Sequence, residues 1–224
     1  MSRSARSVVV RQIAVERFDP SVGPDPYWAT YAVPMTDNQT VLDALLAIAD
    51  DIDPTLAFRR TCRSGICGSC AGRVNGRASL FCQVSIGAAV ASRPGQPVRV
   101  QALDGFTVLR DLVVDMDPFF DAFNRARAWL EPRPGYDGTL PPQDEDALWP
   151  AMSCVMCGIC TRGSGADQDP HPAVVARVLT LARDPRDARG EDRLRGLRGS
   201  PDRRFADWLR AVCPKDVDLR GLIE

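Results

Sequence analysis

Eight cysteines, grouped four and four, constrain this 224-residue chain more than any other feature. The first group is Cys62, Cys67, Cys70 and Cys82, spaced C-x4-C-x2-C-x11-C. The second is Cys154, Cys157 and Cys160, spaced C-x2-C-x2-C, with Cys213–Pro214 far downstream. The grouping is tight and uneven, which points to metal ligation. Disulfides are rare in the cytosol. Met1 to Arg11 carries positive charge but no apolar stretch before a small-residue cleavage site, so no secretory signal is expected. The expected location is cytoplasmic, with any membrane contact made through partners.

C-x4-C-x2-C with a distant fourth cysteine is the spacing of a plant-type [2Fe–2S] site. Three thiolates must converge from one loop. Gly65 and Gly68 let the backbone curl around them and aim N–H groups inward, as in an anion-binding nest. Asn75–Gly76 is a hairpin signal between Ala71–Val74 and Arg77–Phe81, and the returning strand delivers Cys82. Zinc is the competing reading, but zinc loops usually present cysteine pairs rather than three glycine-spaced thiolates.

The second group matches the start of the bacterial ferredoxin run C-x2-C-x2-C-x3-C-P. Its fourth place holds Ser164, followed by Gly165. In two-cluster ferredoxins that fourth cysteine serves the other cluster, so its absence leaves this [4Fe–4S] site intact. The fourth ligand then comes from a remote Cys–Pro, and Cys213 is the remaining candidate. Four and four use all eight cysteines.

Around these groups the chain reads as α+β. Val8 to Val15 and Tyr27 to Val33 are expected to be paired strands, and Thr40 to Ile52 a helix capped by Asn38 or Thr40. Pro97 to Ala102 closes a strand-rich segment, 1–104. The segment 105–224 is expected to be helical, first around Phe119, Phe123 and Leu130, then over His171–Arg183 and Arg204–Val212. Glu131 to Asp146, rich in proline, glycine and acids, reads as a loop or linker. No stretch approaches the roughly 20 apolar residues of a membrane span. The net charge of −1 provides no field for nucleic acid.

Four ordered motifs resemble the iron–sulfur subunit of succinate dehydrogenases and fumarate reductases. They are Arg60 to Cys70, Arg110 to Met116, Cys154 to Cys160, and Val212 to Asp218. The resemblance implies an N-terminal β-grasp, plant-type ferredoxin-like domain followed by an all-helical ferredoxin-like domain. It also implies an FAD-containing catalytic partner subunit and, in the family, a third cluster leading to quinone. That [3Fe–4S] cluster takes its ligands at positions held here by Ser164, Arg203 and Leu209. Arginine stays protonated and leucine has no donor atom, so no [3Fe–4S] cluster is expected. Arg203, Leu209 and their neighbours are expected to fill its volume. The family's quinone-pocket proline and tryptophan are also unmatched, with Gly165 and Gln168 in their place.

The function expected is therefore that of an electron-transfer subunit, linking a partner's FAD to a redox partner other than quinone, such as a soluble ferredoxin-like protein. A membrane-anchored, quinone-linked complex is one alternative. A zinc-binding interaction or assembly protein is another. No catalytic acid, base or nucleophile is evident. His171, the only histidine, reads as a surface or capping residue. Trp149 and Trp208 read as core packing beside a cluster, with partner contact second. Arg59, Arg60 and Arg63 either raise the first cluster's potential or form surface salt bridges. Arg183 to Arg204, rich in Arg and Asp, reads as a solvated face or a docking patch.

Overall fold

Alternation of inward and outward side chains builds the first half of the molecule. In strand β1 (Val9–Arg17) Ile13, Val15 and Arg17 point inward, and in β2 (Tyr27–Met35) Tyr31, Val33 and Met35 do. The two pair antiparallel from Val9↔Met35 to Arg17↔Tyr27. The computed structural model describes residues 8–161, 171–196 and 202–223. It divides into two units, Met1–Asp115 and Met116–Glu224.

In the first unit a five-stranded sheet has the order β2-β1-β5-β3-β4. Strand β5 (Val98–Gln101) runs parallel to β1 and antiparallel to β3 (Ala71–Val74). The β3–β4 (Arg77–Leu80) hairpin turns at Asn75 and Gly76, whose φ angles of 51° and 83° suit a type I′ turn. Helix α1 (Val41–Ala47) buries Val41, Leu42, Leu45 and Leu46. A capping box starts it: Thr40 accepts from the Asp43 N–H, and Asp43 accepts from the Thr40 N–H. Its continuation, Ile48–Ile52, is a π-turn rather than further α-helix.

Two elements were not expected from the sequence: helix α2 (Ile86–Ala91), capped by Ser85, and a small hairpin of β6 (Val108–Arg110) with β7 (Val113–Val114). The hairpin occupies sequence read as the start of the helical half. Asp111 sits at its bend with φ of 47°. Its carboxylate accepts from Arg17 Nε at 2.9 Å, Phe18 N at 3.0 Å and Ala57 N at 2.8 Å. Arg17 also donates to Tyr31, Asp53 and Thr55. Burial alone would lower the Arg17 pKa, but the bonds to Asp111, Tyr31 and Asp53 outweigh it and raise it. This buried network anchors residues 53–57, the approach to the first cysteine loop.

The second unit is helical. Helix α3 (Asp117–Ala126) packs Phe119 against Phe123 and ends at Arg127, φ 50°, short of Leu130. Helix α4 (Pro142–Met152) corrects the expected loop, which it enters from Pro142. Proline is tolerated in the first turn, where the missing N–H has no partner to lose. Pro150 then weakens the last turn. Helix α5 (Pro172–Arg183) is buried along most of its length. Helix α6 (Arg203–Val212) and the short α7 (Arg220–Ile223) complete the unit. Leu148, Val175, Leu179, Ala206, Leu209 and Leu219 form its core, with Cys154, Cys160 and Cys213 packed against it.

The Arg/Asp-rich stretch is not simply a solvated face. Asp187 and Arg193 are buried and paired, at 2.5 and 2.8 Å, and Arg193 also donates to the carbonyls of Arg127 and Trp129. Among the described residues no helix is long and apolar enough to cross a membrane.

Candidate metal centres

The first group is built on a loop of left-handed turns. Arg63, Gly65 and Gly68 have φ of 58°, 71° and 70°. A Cβ at residue 65 would also come within 2.4 Å of the exposed Gln83 side chain, which would have to swing aside. The curl turns five amides onto sulfur, the Cys62 N–H donating to Cys67 Sγ at 3.5 Å. Ser64, Ile66 and Cys67 N–H groups donate to Cys62 Sγ at 3.4, 3.3 and 3.3 Å, and Gly65 N–H donates to Cys82 Sγ at 3.2 Å. Cys82 lies in the 3₁₀ turn Phe81–Gln83 directly after β4, and the Phe81 N–H bonds to the Cys70 carbonyl at 3.0 Å. The β3–β4 hairpin thus brings Cys70 and Cys82 together.

Electrostatics differ across this group. The Ser64 amide, followed by the Cys67 side chain and the Ile66 and Cys67 amides, pulls the Cys62 thiol down to about 6. Burial pushes Cys70 up to about 12. The loop's rim is open: Cys67 and Ile66 are exposed. Of the nearby arginines, Arg60 lies 3.9 Å from Asp50 and stacks over the Phe58 ring, a surface pairing.

The second group converges from two places. The loop Ser153–Gly158 carries Met156 and Gly158 at φ of 50° and 77°, and the turn Ile159–Thr161 follows. Cys213 caps α6, its N–H donating to the Leu209 carbonyl at 2.9 Å, and Pro214 bars further helix. The Asp218 N–H bonds to the Pro150 carbonyl at 3.1 Å, and Ser153 Oγ lies 3.3 Å from the Lys215 carbonyl. These bonds fasten the segment after Cys213 beside α4, next to Cys154. Cys154, Cys157, Cys160 and Cys213 line one cavity, together with Leu209 and Lys215. Burial pushes Cys157 up to about 12 and raises Cys154 and Cys160 as well. Such thiols deprotonate when a bound cation repays the cost of burial.

Leu209 is buried, one helical turn before Cys213, and borders this cavity. Arg203, expected beside it in a filled volume, is instead exposed at the start of α6. Ser164, Gly165 and Gln168 lie outside the described residues. Trp149 and Trp208 are 62% and 37% exposed, so neither is the core residue expected. His171 caps α5 as expected but is 2% exposed rather than on the surface.

The donor sets are all sulfur, ringed by N–H groups in one case and by apolar side chains in the other. They fit iron–sulfur clusters, whose properties depend on such bonding and burial.

Comparison with known proteins agrees. Residues 12–121 match the family model of the 2Fe-2S iron-sulfur cluster binding domain. The chain is 34% identical to a mitochondrial succinate dehydrogenase [ubiquinone] iron-sulfur subunit of Dictyostelium discoideum, covering 91% of this chain and 77% of that protein. It is 35% identical to a fumarate reductase iron-sulfur subunit of Mycobacterium tuberculosis, covering 94% and 88%. In fold it is similar to a chain of the Mycobacterium smegmatis Sdh1 complex in the apo form, with a TM-score of 0.74, 22% identity, and coverage of 94% and 90%.

Proposed function

This chain belongs to the family of succinate dehydrogenase and fumarate reductase iron–sulfur subunits, and from that premise we propose that it is a two-cluster variant serving a redox partner other than quinone. It is an electron-transfer subunit of an oxidoreductase complex. Its N-terminal unit is a β-grasp [2Fe–2S] domain and its C-terminal unit a helical ferredoxin-like [4Fe–4S] domain.

Cys62, Cys67, Cys70 and Cys82 hold the [2Fe–2S] cluster. Cys154, Cys157, Cys160 and Cys213 hold the [4Fe–4S] cluster. When bound, each supplies one-electron redox chemistry between the FAD of a catalytic partner subunit and a second partner, which a soluble ferredoxin-like protein would suit. The polypeptide sets the conditions for this. Amides at Cys62 and Cys82 offset negative charge, and apolar side chains around the second group keep water from it. The two-cluster reading is carried by the buried Leu209, a side chain without a donor atom at a family [3Fe–4S] position, bordering the cavity of the second group. Arg203 and Ser164 remove the other two thiols of that site.

Purification of the native assembly tests this. A copurifying FAD subunit with visible absorbance between about 400 and 600 nm, and no quinone-reductase activity, is expected. Copurification of a membrane subunit with quinone-dependent turnover would overturn the non-quinone assignment. A colourless, zinc-loaded chain would overturn the clusters.

A further inference from the structure

His171 occupies a position that its helix-capping role does not explain. Ser, Asp or Asn caps a helix as well or better, and this is the only histidine in the chain. Its ring is buried and stands edge-on to Phe119, with centroids 4.8 Å apart at 88°. Nδ1 accepts the Ala173 N–H at 3.2 Å, so in the neutral ring the proton resides on Nε2. Nε2 lies 2.5 Å from the fully buried Oγ1 of Thr161, the residue directly after Cys160. The Thr161 N–H in turn bonds to the Gly158 carbonyl at 2.9 Å.

We infer that His171 is a positioning residue for Cys160: its imidazole joins the first turn of α5 to the hydroxyl of Thr161 and so fixes the turn from which the Cys160 thiolate approaches its cluster. This rests on the assignment of Cys160 as a [4Fe–4S] ligand. The bridge uses both ring nitrogens, one for the helix and one for the turn, which a serine or aspartate cap cannot do across the same span. Thr161 and His171 are ten residues apart in sequence, so the bond ties the turn to the helix directly. Phe119 holds the ring orientation that makes the bridge possible. Groups that hydrogen-bond a metal ligand directly commonly govern metal retention by about 10- to 100-fold when lost, and a bridge acting through the residue next to Cys160 is expected at the lower end of that range.

The test uses the full chain in its native assembly, prepared anaerobically, with Thr161→Val, Thr161→Ser, His171→Ala and His171→Asn. Iron retention under chelator challenge, the EPR spectrum of the reduced [4Fe–4S] cluster and its midpoint potential are read, with the [2Fe–2S] signal in the same sample as the internal control. Thr161→Val and His171→Ala are expected to speed iron loss about tenfold from the second site alone. They should also change its EPR line shape and shift its potential. Thr161→Ser, which keeps the hydroxyl, should restore all three. If His171→Ala fails to fold, Thr161→Val against Thr161→Ser decides. Unchanged retention, spectrum and potential in Thr161→Val would overturn the inference. A native chain lacking any [4Fe–4S] signal would overturn the cluster assignment itself, and the positioning role with it.

Discussion

At the scale of single residues, position matters more than residue type. Two cysteine thiols differ widely because Cys62 lies among amides and Cys70 lies in the core. Arg17 is charged and buried, tolerable because Asp111, Asp53 and Tyr31 surround it. Replacing Asp111 with Ala leaves Arg17 paired with Asp53 but takes the acceptor from Arg17 Nε and from the Phe18 and Ala57 N–H groups, and a loss of about 1–3 kcal/mol in unfolding free energy is expected from chemical denaturation. His171 provides a pH-dependent case. Burial depresses its pKa from 6.5 to about 4. The unfolded chain therefore takes up a proton first as pH falls, and stability declines between about pH 6.5 and 4. A shift of this size corresponds to about 3 kcal/mol. Denaturation at pH 7 and pH 4.5 should show a steeper acid loss in the parent than in His171→Asn, and equal losses would contradict the assignment.

At the scale of elements, two tight fits make testable claims. Thr40→Ala removes the side chain that caps α1 and should cost about 1 kcal/mol in denaturant unfolding. Gly72 in β3 has no room for a methyl group: a Cβ there would stand 2.2 Å from the Phe81 ring and 2.8 Å from the Gln101 carbonyl. Gly72→Ala should therefore destabilise the first unit by about 1–3 kcal/mol, read from its melting transition. The main strands, α1, α5 and α6 were legible because their apolar residues repeat at periods of two or near 3.6. Other elements were not. Pro141–Pro142 looks like a break in composition, yet it opens α4. The six residues of α2 are too few to show a period. Asp187 and Arg193 look like solvent residues, and the bonds that bury them, to the Arg127 and Trp129 carbonyls and the Glu131 N–H, reach across the sequence and leave no local signature. Trp149 and Trp208 misled in the opposite direction, since large apolar side chains are expected inside and these are exposed.

At the scale of the molecule, spacing alone grouped the cysteines that the fold gathers, four at one cavity and four around the first loop, and their role as cluster ligands is the proposal. What spacing did not reveal is how the ligands are delivered. The β3–β4 hairpin brings Cys82 to Cys70, and the Asp218–Pro150 bond brings the Cys213 segment to α4. The Arg17–Asp111 pair joins residues 94 apart and leaves no mark in the spacing, although Asp111 lies within one of the motifs that carry the resemblance. The two groups should be separable. Cys213→Ser is expected to lower iron from about six to about two atoms per chain while leaving the [2Fe–2S] EPR signal intact. The most direct test is the iron and acid-labile sulfide content of the native chain, read together with EPR of the oxidised protein. About six irons per chain with no [3Fe–4S] signal is the predicted result. About nine irons with that signal would show that a third cluster is bound without the family's cysteines, and would contradict the two-cluster account.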